Sequence, residues 1–459
     1  MNCNAVKIIE MTEAGKQIDT VIVGMGKTGY SCARYLADHG INFAMTDSRV
    51  SPPLLDEIKR DYPHVPLHTG GFDPGLLSSV SNILISPGVS LQEPAIVQAV
   101  NNGVSVCGDI ELFCRHATTP VVAITGSNGK STVTTLVAEM AREAGLKTGV
   151  GGNLGTPALD LLREDGRDVY VLELSSFQLE TVSSLNAVAS VVLNLSEDHM
   201  DRYASMEDYT GAKAHIYDGD GVMVINLDDP IVAGLQRTGR KNIGFSLSEP
   251  SGENYGVCDY SDTRWLVKGK TRLVPAGEIR MAGDHNIANA LAALALGEVI
   301  KLPLACMLKV LRTFSGLPHR CEWIAETDGV SWINDSKGTN VGASIAAIKG
   351  LANQKNIVLI AGGDGKGADF SRLVEVANEH IRVAVLIGRD APLIRKVLQD
   401  VVPVENAHDM DSAVITAARL AQSGDVVLLS PACASLDMFE DYRARGEAFR
   451  SAVEKLVNH

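Results

Sequence analysis

Apolar residues along this chain cluster in short β-branched runs. Each ends in glycine or a polar turn and is followed by a helical pattern. Runs of this length bounded by turn signals predict buried strands. The first is Thr20-Val21-Ile22-Val23, which meets Gly24-Met25-Gly26-Lys27-Thr28-Gly29 and then a helix to about His39. A second strand over 42–46 ends in Asp47-Ser48-Arg49, and a third over 82–85 ends in Ser86-Pro87-Gly88. The alternation restarts at Val121-Val122-Ala123-Ile124-Thr125, whose loop opens a helix from Val133 to Ala144. It continues in strands over 169–174, 187–193 and 221–226. Residues 250–280, glycine-rich and weakly alternating, predict a β excursion, and Asn286 to Ile300 predicts a helix. After Ser315-Gly316-Leu317-Pro318-His319-Arg320, a plausible hinge, strands are expected over 330–334, 356–361, 383–387 and 425–429. Strands that alternate with helices imply mostly parallel sheets. The chain therefore reads as an α/β protein of three domains, 1–108, 109–314 and 315–459.

The length of 459 residues suits that number. A net charge of −14 argues against nucleic acid or an anionic membrane as the main partner. It does not exclude anionic small molecules, because a local cradle outweighs a distant field screened within about 10 Å. The eight cysteines (Cys3, Cys32, Cys107, Cys114, Cys258, Cys306, Cys321, Cys433) show no metal-ligand spacing and read as reduced thiols in a cytoplasmic protein. No run of 18 apolar residues occurs, Met1-Asn2-Cys3-Asn4 does not open a signal peptide, and the first ten or so residues read as a disordered extension.

The strongest chemical signal is Thr125-Gly126-Ser127-Asn128-Gly129-Lys130-Ser131-Thr132. A strand, a glycine loop and a helix in that order make a phosphate cradle, with loop N–H groups and the helix N-terminus facing the anion. Lys130 brings a point charge for the β- and γ-phosphates, and Ser131 or Thr132 can reach Mg²⁺. The motif departs from the usual phosphate loop, because Ile124 stands where its first glycine belongs. The central domain is thus expected to be P-loop ATPase-like, between two Rossmann-like domains.

Glu173 ends the strand that begins at Val169, on the ligand side of an open α/β sheet, and is a natural Mg²⁺ ligand there. The cluster Glu197-Asp198-His199-Met200-Asp201 ends the next strand and suits a second Mg²⁺ or a phosphate, although a lone histidine is more often structural. Lys213, taken alone, reads as a surface lysine near a helix end. Gly24, Gly26 and Gly29 with Asp47 form a dinucleotide fingerprint that fits the pyrophosphate of NAD or of a UDP-sugar equally; the phosphate loop downstream favours UDP. In the third domain Arg320, Lys337 and Lys366 lie at the hinge and at strand ends, with Ser435 after another strand. Such positive charge in an acidic protein suits a small dicarboxylic acid.

The loop T-G-S-N-G-K-S-T resembles that of the Mur ligase and folylpolyglutamate synthase superfamily. The remaining motifs resemble the Mur ligase family in order and over essentially the whole chain. Among them are Val150 to Gly155, Leu172 to Glu180, Glu197 to Tyr203, Gly316 to Arg320, Asp335 to Asn340 and Ser430 to Asp437. The resemblance is closest to members that add D-glutamate to UDP-N-acetylmuramoyl-L-alanine in peptidoglycan precursor synthesis. It implies that ATP converts the alanine carboxylate to an acyl phosphate, which the D-glutamate amine captures with release of ADP and phosphate, under a closing third domain. By resemblance, Gly24, Gly26, Gly29, Asp47, Ser48, Arg49 and Ser86 would hold UDP, and Asn153 and His199 the muramoyl part. Gly126, Ser127, Asn128, Gly129, Lys130, Ser131, Thr132, Asn286, Asn289, Arg320 and Asp335 would hold ATP. Ser131, Thr132, Glu173, His199 and Lys213 would organise two Mg²⁺ ions, with Lys213 carbamylated by CO₂ so that it becomes an oxygen ligand. Lys130, His199 and Lys213 would be catalytic, and Lys337, Thr339, Lys366, Ser435 and Tyr442 would bind D-glutamate; Tyr442 stands where relatives often carry phenylalanine. The implied enzyme is a cytoplasmic monomer acting on small molecules, with no nucleic-acid or membrane partner. Three alternatives remain: another amide ligase of the superfamily, a nicotinamide dehydrogenase built on the Gly24 loop, and a non-catalytic nucleotide-binding module.

Overall fold

The computed structural model describes residues 18–196, 198, 200, 202–281 and 283–457. The expected N-terminal extension, Glu197, His199 and Asp201 lie outside them. The chain forms two compact units: one runs to Ser246 and adds Glu253–Tyr255 and Ala292–Met307; the other takes Leu247–Gly252, Gly256–Leu291 and Leu308 onward.

The first unit contains two parallel sheets. In the smaller, the strands order as Leu67–Thr69, Phe43–Asp47, Thr20–Val23, Asn82–Ile85 and Ser105–Cys107, all parallel. The central strand Thr20–Val23 is wholly buried, as its unbroken apolar run requires. Strand order reverses between it and Asn82–Ile85, and the crevice at such a switch point is where open α/β sheets bind ligands. Gly24 and Ser86 follow those two strands directly.

The other sheet of this unit runs Asn242–Phe245, Val222–Asn226, Ala189–Val192, Val121–Thr125, Val169–Glu173 and Thr148–Gly152, again parallel. The phosphate-loop strand is central, so the ends of its neighbours, Glu173 and Leu193, emerge beside Gly126. Ile124 is a fully buried strand residue, so the position where the motif departs contributes to the core and not to the loop. One apolar cluster joins the two sheets, with Ile22, Met45, Phe113, Tyr170, Leu172 and Tyr209 among its members.

In the second unit the predicted β excursion contains a hairpin, Thr263–Lys268 against Thr271–Pro275. Its main sheet orders as Glu322–Thr327, Val330–Asn334, Val426–Leu429, Ile357–Gly362, Ile381–Ile387 and Val404–Asn406, parallel except for the antiparallel first strand. Apolar clusters cover both faces, one around Leu359, Leu373 and Ile394, the other around Trp332, Val414 and Phe449.

Candidate active site

Gly126 and Gly129 adopt φ of +150° and +84°, which L side chains rarely take. A Cβ on Gly126 would also sit 3.0 Å from the Leu193 Cβ. Gly129 caps the helix Lys130–Glu143, placing Ser131 and Thr132 in its first turn, both buried. The loop is fixed from below. Ser127 N–H donates to Asn194 O at 2.9 Å, and its Oγ reaches Ser196 O at 3.0 Å and the Tyr209 hydroxyl at 3.1 Å. Asn128 exchanges two hydrogen bonds with the Asn194 amide, at 2.8 and 3.1 Å. Lys130 Nζ curls back onto the carbonyls of Gly126 and Ser127, at 2.8 and 3.0 Å. An ammonium on two carbonyls is held where a polyphosphate would lie in the cradle.

Lys213, expected by default at the surface, is 2% exposed. Its Nζ donates to Gly126 O at 3.1 Å and Thr125 Oγ1 at 3.3 Å, and lies 4.8 Å from the centre of the Tyr209 ring. Burial, and then the nearby Lys130 charge, push its pKa down to about 7. A neutral amine at physiological pH is a nucleophile for CO₂.

Glu173 is 3% exposed. Oε1 accepts from the Asn153 amide at 2.7 Å, while Oε2 is buried and has no hydrogen-bond partner among the described residues. An orphaned carboxylate oxygen costs desolvation energy that a cation would recover. These residues, with the hydroxyls of Ser131 and Thr132, fit Mg²⁺. Among the described residues no cluster of three or more His, Cys, Asp or Glu side chains forms a ready-made metal site.

At the switch point of the smaller sheet, Gly24 has φ +105°, and a Cβ there would lie 2.6 Å from Ser86 Oγ; one on Gly29 would strike Gly24 O at 1.8 Å. Gly26 faces open space. Ser86 Oγ is buried and has no hydrogen-bond partner among the described residues. Asp47 accepts the Met25 N–H at 2.7 Å and a two-point fork from Arg49 at 2.9 and 2.7 Å. Burial works to raise its pKa, but these bonds dominate and leave it below the ordinary value. Its oxygens are thus engaged by protein donors; the exposed Ser48 and Arg49 carry the polar groups at this edge.

In the second unit three parallel neighbours, Val330–Asn334, Val426–Leu429 and Ile357–Gly362, deliver their loops side by side. Asp335 is buried beneath them; its Oδ2 accepts from Ser430 Oγ at 2.7 Å and its Oδ1 from Cys321 N–H at 3.3 Å. Burial raises its pKa to about 7. Lys337 Nζ stands 4.2 Å from the centre of the Tyr442 ring. Lys366, exposed at φ +50°, and half-buried Thr339 lie in two of these loops, and buried Ser435 follows the third. Asn286 and Asn289 are buried on the helix Asp284–Val299, with amides 3.2 Å apart.

Sequence reasoning missed Arg445. It is 1% exposed and donates to Ser336 O and Oγ, Cys433 O and Ala434 O at 2.8 to 3.2 Å, stitching two of these loops together. Burial lowers its pKa to about 10. On the helix Tyr442–Val457 it looks like any other charged residue, and no spacing marks it.

Comparison with known proteins matches three stretches of the chain. Residues 18–108 match the Mur ligase MurD-like N-terminal domain, 124–297 the Mur ligase middle domain and 319–433 the Mur ligase glutamate ligase domain. A UDP-N-acetylmuramoylalanine–D-glutamate ligase of Nitrosococcus oceani is 54% identical over 439 residues, 96% of this chain and 97% of its own. One from Pseudomonas aeruginosa is 51% identical, over 95% of this chain and 98% of its own. Among solved structures, a pseudomurein peptide ligase type C from Methanothermus fervidus superposes with a TM-score of 0.58 at 20% identity, covering 95% of this chain and all of its own. The UDP-N-acetylmuramate-alanine ligase of Thermotoga maritima gives 0.56 at 16%, covering 96% and 100%; at such identity both speak for the fold. With three family domains in sequence and half its residues identical along the length of those relatives, the chain belongs to the Mur ligase family.

Proposed function

We propose that this chain is an ATP-dependent ligase that joins D-glutamate to the alanine carboxyl of UDP-N-acetylmuramoyl-L-alanine, a step of peptidoglycan precursor synthesis. The observation that carries the reading is the phosphate loop with Glu173 at the end of the neighbouring strand and Lys213 buried against Gly126. The choice of substrates rests on the relatives named above.

The chemistry follows from the leaving group. A carboxylate resists attack by an amine because oxide would have to depart. Transfer of the ATP γ-phosphoryl to it gives an acyl phosphate. The D-glutamate nitrogen then attacks the carbonyl carbon, a tetrahedral intermediate forms, and phosphate leaves with the electron pair of the C–O bond. Phosphoryl transfer is mostly positioning and charge neutralisation. We assign the positioning to the loop N–H groups and to Lys130, swung from its carbonyls to the β- and γ-phosphates. We assign the holding of two Mg²⁺ ions to Ser131, Thr132, Glu173, His199 and Lys213, the last as its carbamate. When bound, the ions would neutralise phosphate charge and clamp the attacking and leaving oxygens.

The Gly24 loop with Asp47, Ser48, Arg49 and Ser86 is assigned to the UDP part and Asn153 and His199 to the muramoyl part. Asn286, Asn289, Arg320 and Asp335 are assigned to the nucleotide. Lys337, Thr339, Lys366, Ser435 and Tyr442 are assigned to D-glutamate. The domain limits 1–108, 109–314 and 315–459 are proposed with that division of labour. Among the described residues no helix is long and apolar enough to cross a membrane.

The test is phosphate release with UDP-N-acetylmuramoyl-L-alanine, ATP and a panel of amino acids. Release that depends on D-glutamate is expected. Equal release with another amino acid, or coupling without ADP, overturns the assignment.

A further inference from the structure

The turn that follows the strand Asn82–Ile85 is held from two sides. On one, Ser86 N–H donates to Val23 O at 2.9 Å and the side chain packs against Gly24, while Val89 N–H closes the turn on Ser86 O at 2.9 Å. On the other, a single side chain reaches across from the connection after the strand Ala189–Val192 of the other sheet in the same unit. Arg202 Nη1 donates to Pro87 O at 2.9 Å and Nη2 to Val89 O at 3.3 Å. The same guanidinium bonds Glu180 Oε2 at 3.0 Å and lies 4.3 Å from the centre of the Phe177 ring. Its four partners come from two segments more than eighty residues apart in sequence, and its side chain is 16% exposed.

The next residue continues the connection. The Tyr203 hydroxyl donates to the second oxygen of Glu180, and its ring stacks on Phe177 at 6.0 Å and meets the edge of Tyr209 at 5.2 Å. Tyr209 in turn holds Ser127 of the phosphate loop and lies under Lys213. Contiguous packed and hydrogen-bonded side chains thus run from the Ser86–Val89 turn to the floor of the phosphate loop.

We propose that Arg202 is a positioning residue for the UDP-substrate. It fixes the Ser86–Val89 turn, and with it the buried Ser86 hydroxyl, against the segment that supports the phosphate loop. The inference rests on the functional reading above, which places Ser86 at the UDP part. A surface ion pair is a weak alternative, because two of the arginine's contacts are to carbonyls of a turn and need a planar fork that lysine lacks.

Steady-state kinetics of R202A and R202K, with the KM of each of the three substrates measured separately, tests it. R202A should raise the KM for UDP-N-acetylmuramoyl-L-alanine by on the order of tenfold, the loss expected for charged hydrogen bonds to a turn. The KM for ATP and for D-glutamate should stay within about twofold. R202K should not restore the wild-type value, whereas added guanidinium ion should lower the raised KM of R202A and leave the wild type unaffected. An unchanged KM, a parallel rise in all three, or full rescue by lysine overturns the proposal. If R202A does not fold, E180Q takes its place: it loosens the arginine and should raise the same KM by a smaller factor, and an unchanged value again overturns the idea. Wild-type turnover in the same assay tests the functional reading by itself. Normal turnover beside an indifferent R202A rejects only the role of Arg202.

Discussion

Lys130 and Lys213 converge on one oxygen: their ammonium nitrogens lie 2.8 and 3.1 Å from the carbonyl of Gly126. Two like charges so placed repel, and the buried partner gives way, which is part of why the Lys213 pKa falls to about 7. The more exposed member of the pair is Lys130, which can exchange its carbonyls for a polyphosphate. We expect K130A to reduce turnover by on the order of a thousandfold, the scale of losing a preorganised charge. The affinity for UDP-N-acetylmuramoyl-L-alanine, read by calorimetry without ATP, should change by less than about twofold. Equal loss of binding and turnover would contradict the separation of the two sites.

Lys213 also makes a stability prediction. Its folded pKa is depressed below the ordinary lysine value of 10.5 to about 7. At pH 6 the amine is charged in both states, and the folded state carries the full cost of burying it. Between pH 7 and 10.5 the folded form is increasingly neutral, so that cost shrinks as pH rises. K213M, apolar and of similar length, should therefore be more stable than wild type at pH 6. The difference should be a few kcal/mol, because each tenfold change in a protonation equilibrium is worth about 1.4 kcal/mol. The gap should narrow at pH 9. Thermal unfolding at both pH values in CO₂-free buffer measures it; a gap that widens with pH would mean that the amine is not desolvated.

If the working form of that lysine is a carbamate, then what the site needs at this position is a carboxylate and not a cation. K213A, which leaves a cavity beside Thr125 and Gly126, should be inactive alone and partly rescued by millimolar formate or acetate. Phosphate release against acid concentration reads it, and a flat response would argue against the carbamate.

Glu173 Oε2 is buried with no hydrogen-bond partner among the described residues, while Oε1 is held by Asn153. A carboxylate kept in that state gives up stability in exchange for a cation site. E173Q should thus move two readouts in opposite directions. The Mg²⁺ concentration for half-maximal activity should rise about tenfold or more, because one charged ligand is lost, and the thermal midpoint without metal should rise. An unchanged Mg²⁺ requirement would remove Glu173 from the metal site.

How much of this was legible without coordinates differs between strands and side chains. Central strands showed themselves because both faces are buried, so their runs are unbroken: Val121–Thr125 and Ile357–Gly362 are buried at every position. Among the strands the sequence did not reveal, three are edges: Leu67–Thr69, Glu322–Thr327 and Val404–Asn406 are half-exposed, carry His68, Glu322 and Glu405, and lack an apolar run or a clean alternation. Among side chains, the phosphate loop was readable because local backbone geometry demands Gly126 and Gly129 in sequence. Arg445 and Arg202 were not, because each acts on backbone carbonyls far away in the chain, and carbonyls leave no trace in residue identity. Burial of Lys213 was likewise invisible: its helix Met206–Ala214 has no apolar stripe to show which side faces inward.

Tyr442 differs from phenylalanine by one hydroxyl, and the structure indicates what that atom is worth. The ring face, which phenylalanine would share, lies 4.2 Å from the Lys337 ammonium. The hydroxyl's neighbour is Arg443, an exposed residue on the same helix whose guanidinium lies 5.5 Å from the ring centre. Cation–π contacts contribute about 0.5–2 kcal/mol depending on desolvation, whereas an exposed hydroxyl–arginine contact contributes little. Y442F should therefore leave the KM for D-glutamate within about twofold, and Y442A should raise it by roughly three- to thirtyfold, with the KM for ATP and for the UDP-substrate unmoved. If Y442F and Y442A are equally impaired, the hydroxyl and not the ring is what matters, and the placement of Lys337 by the aromatic face is wrong.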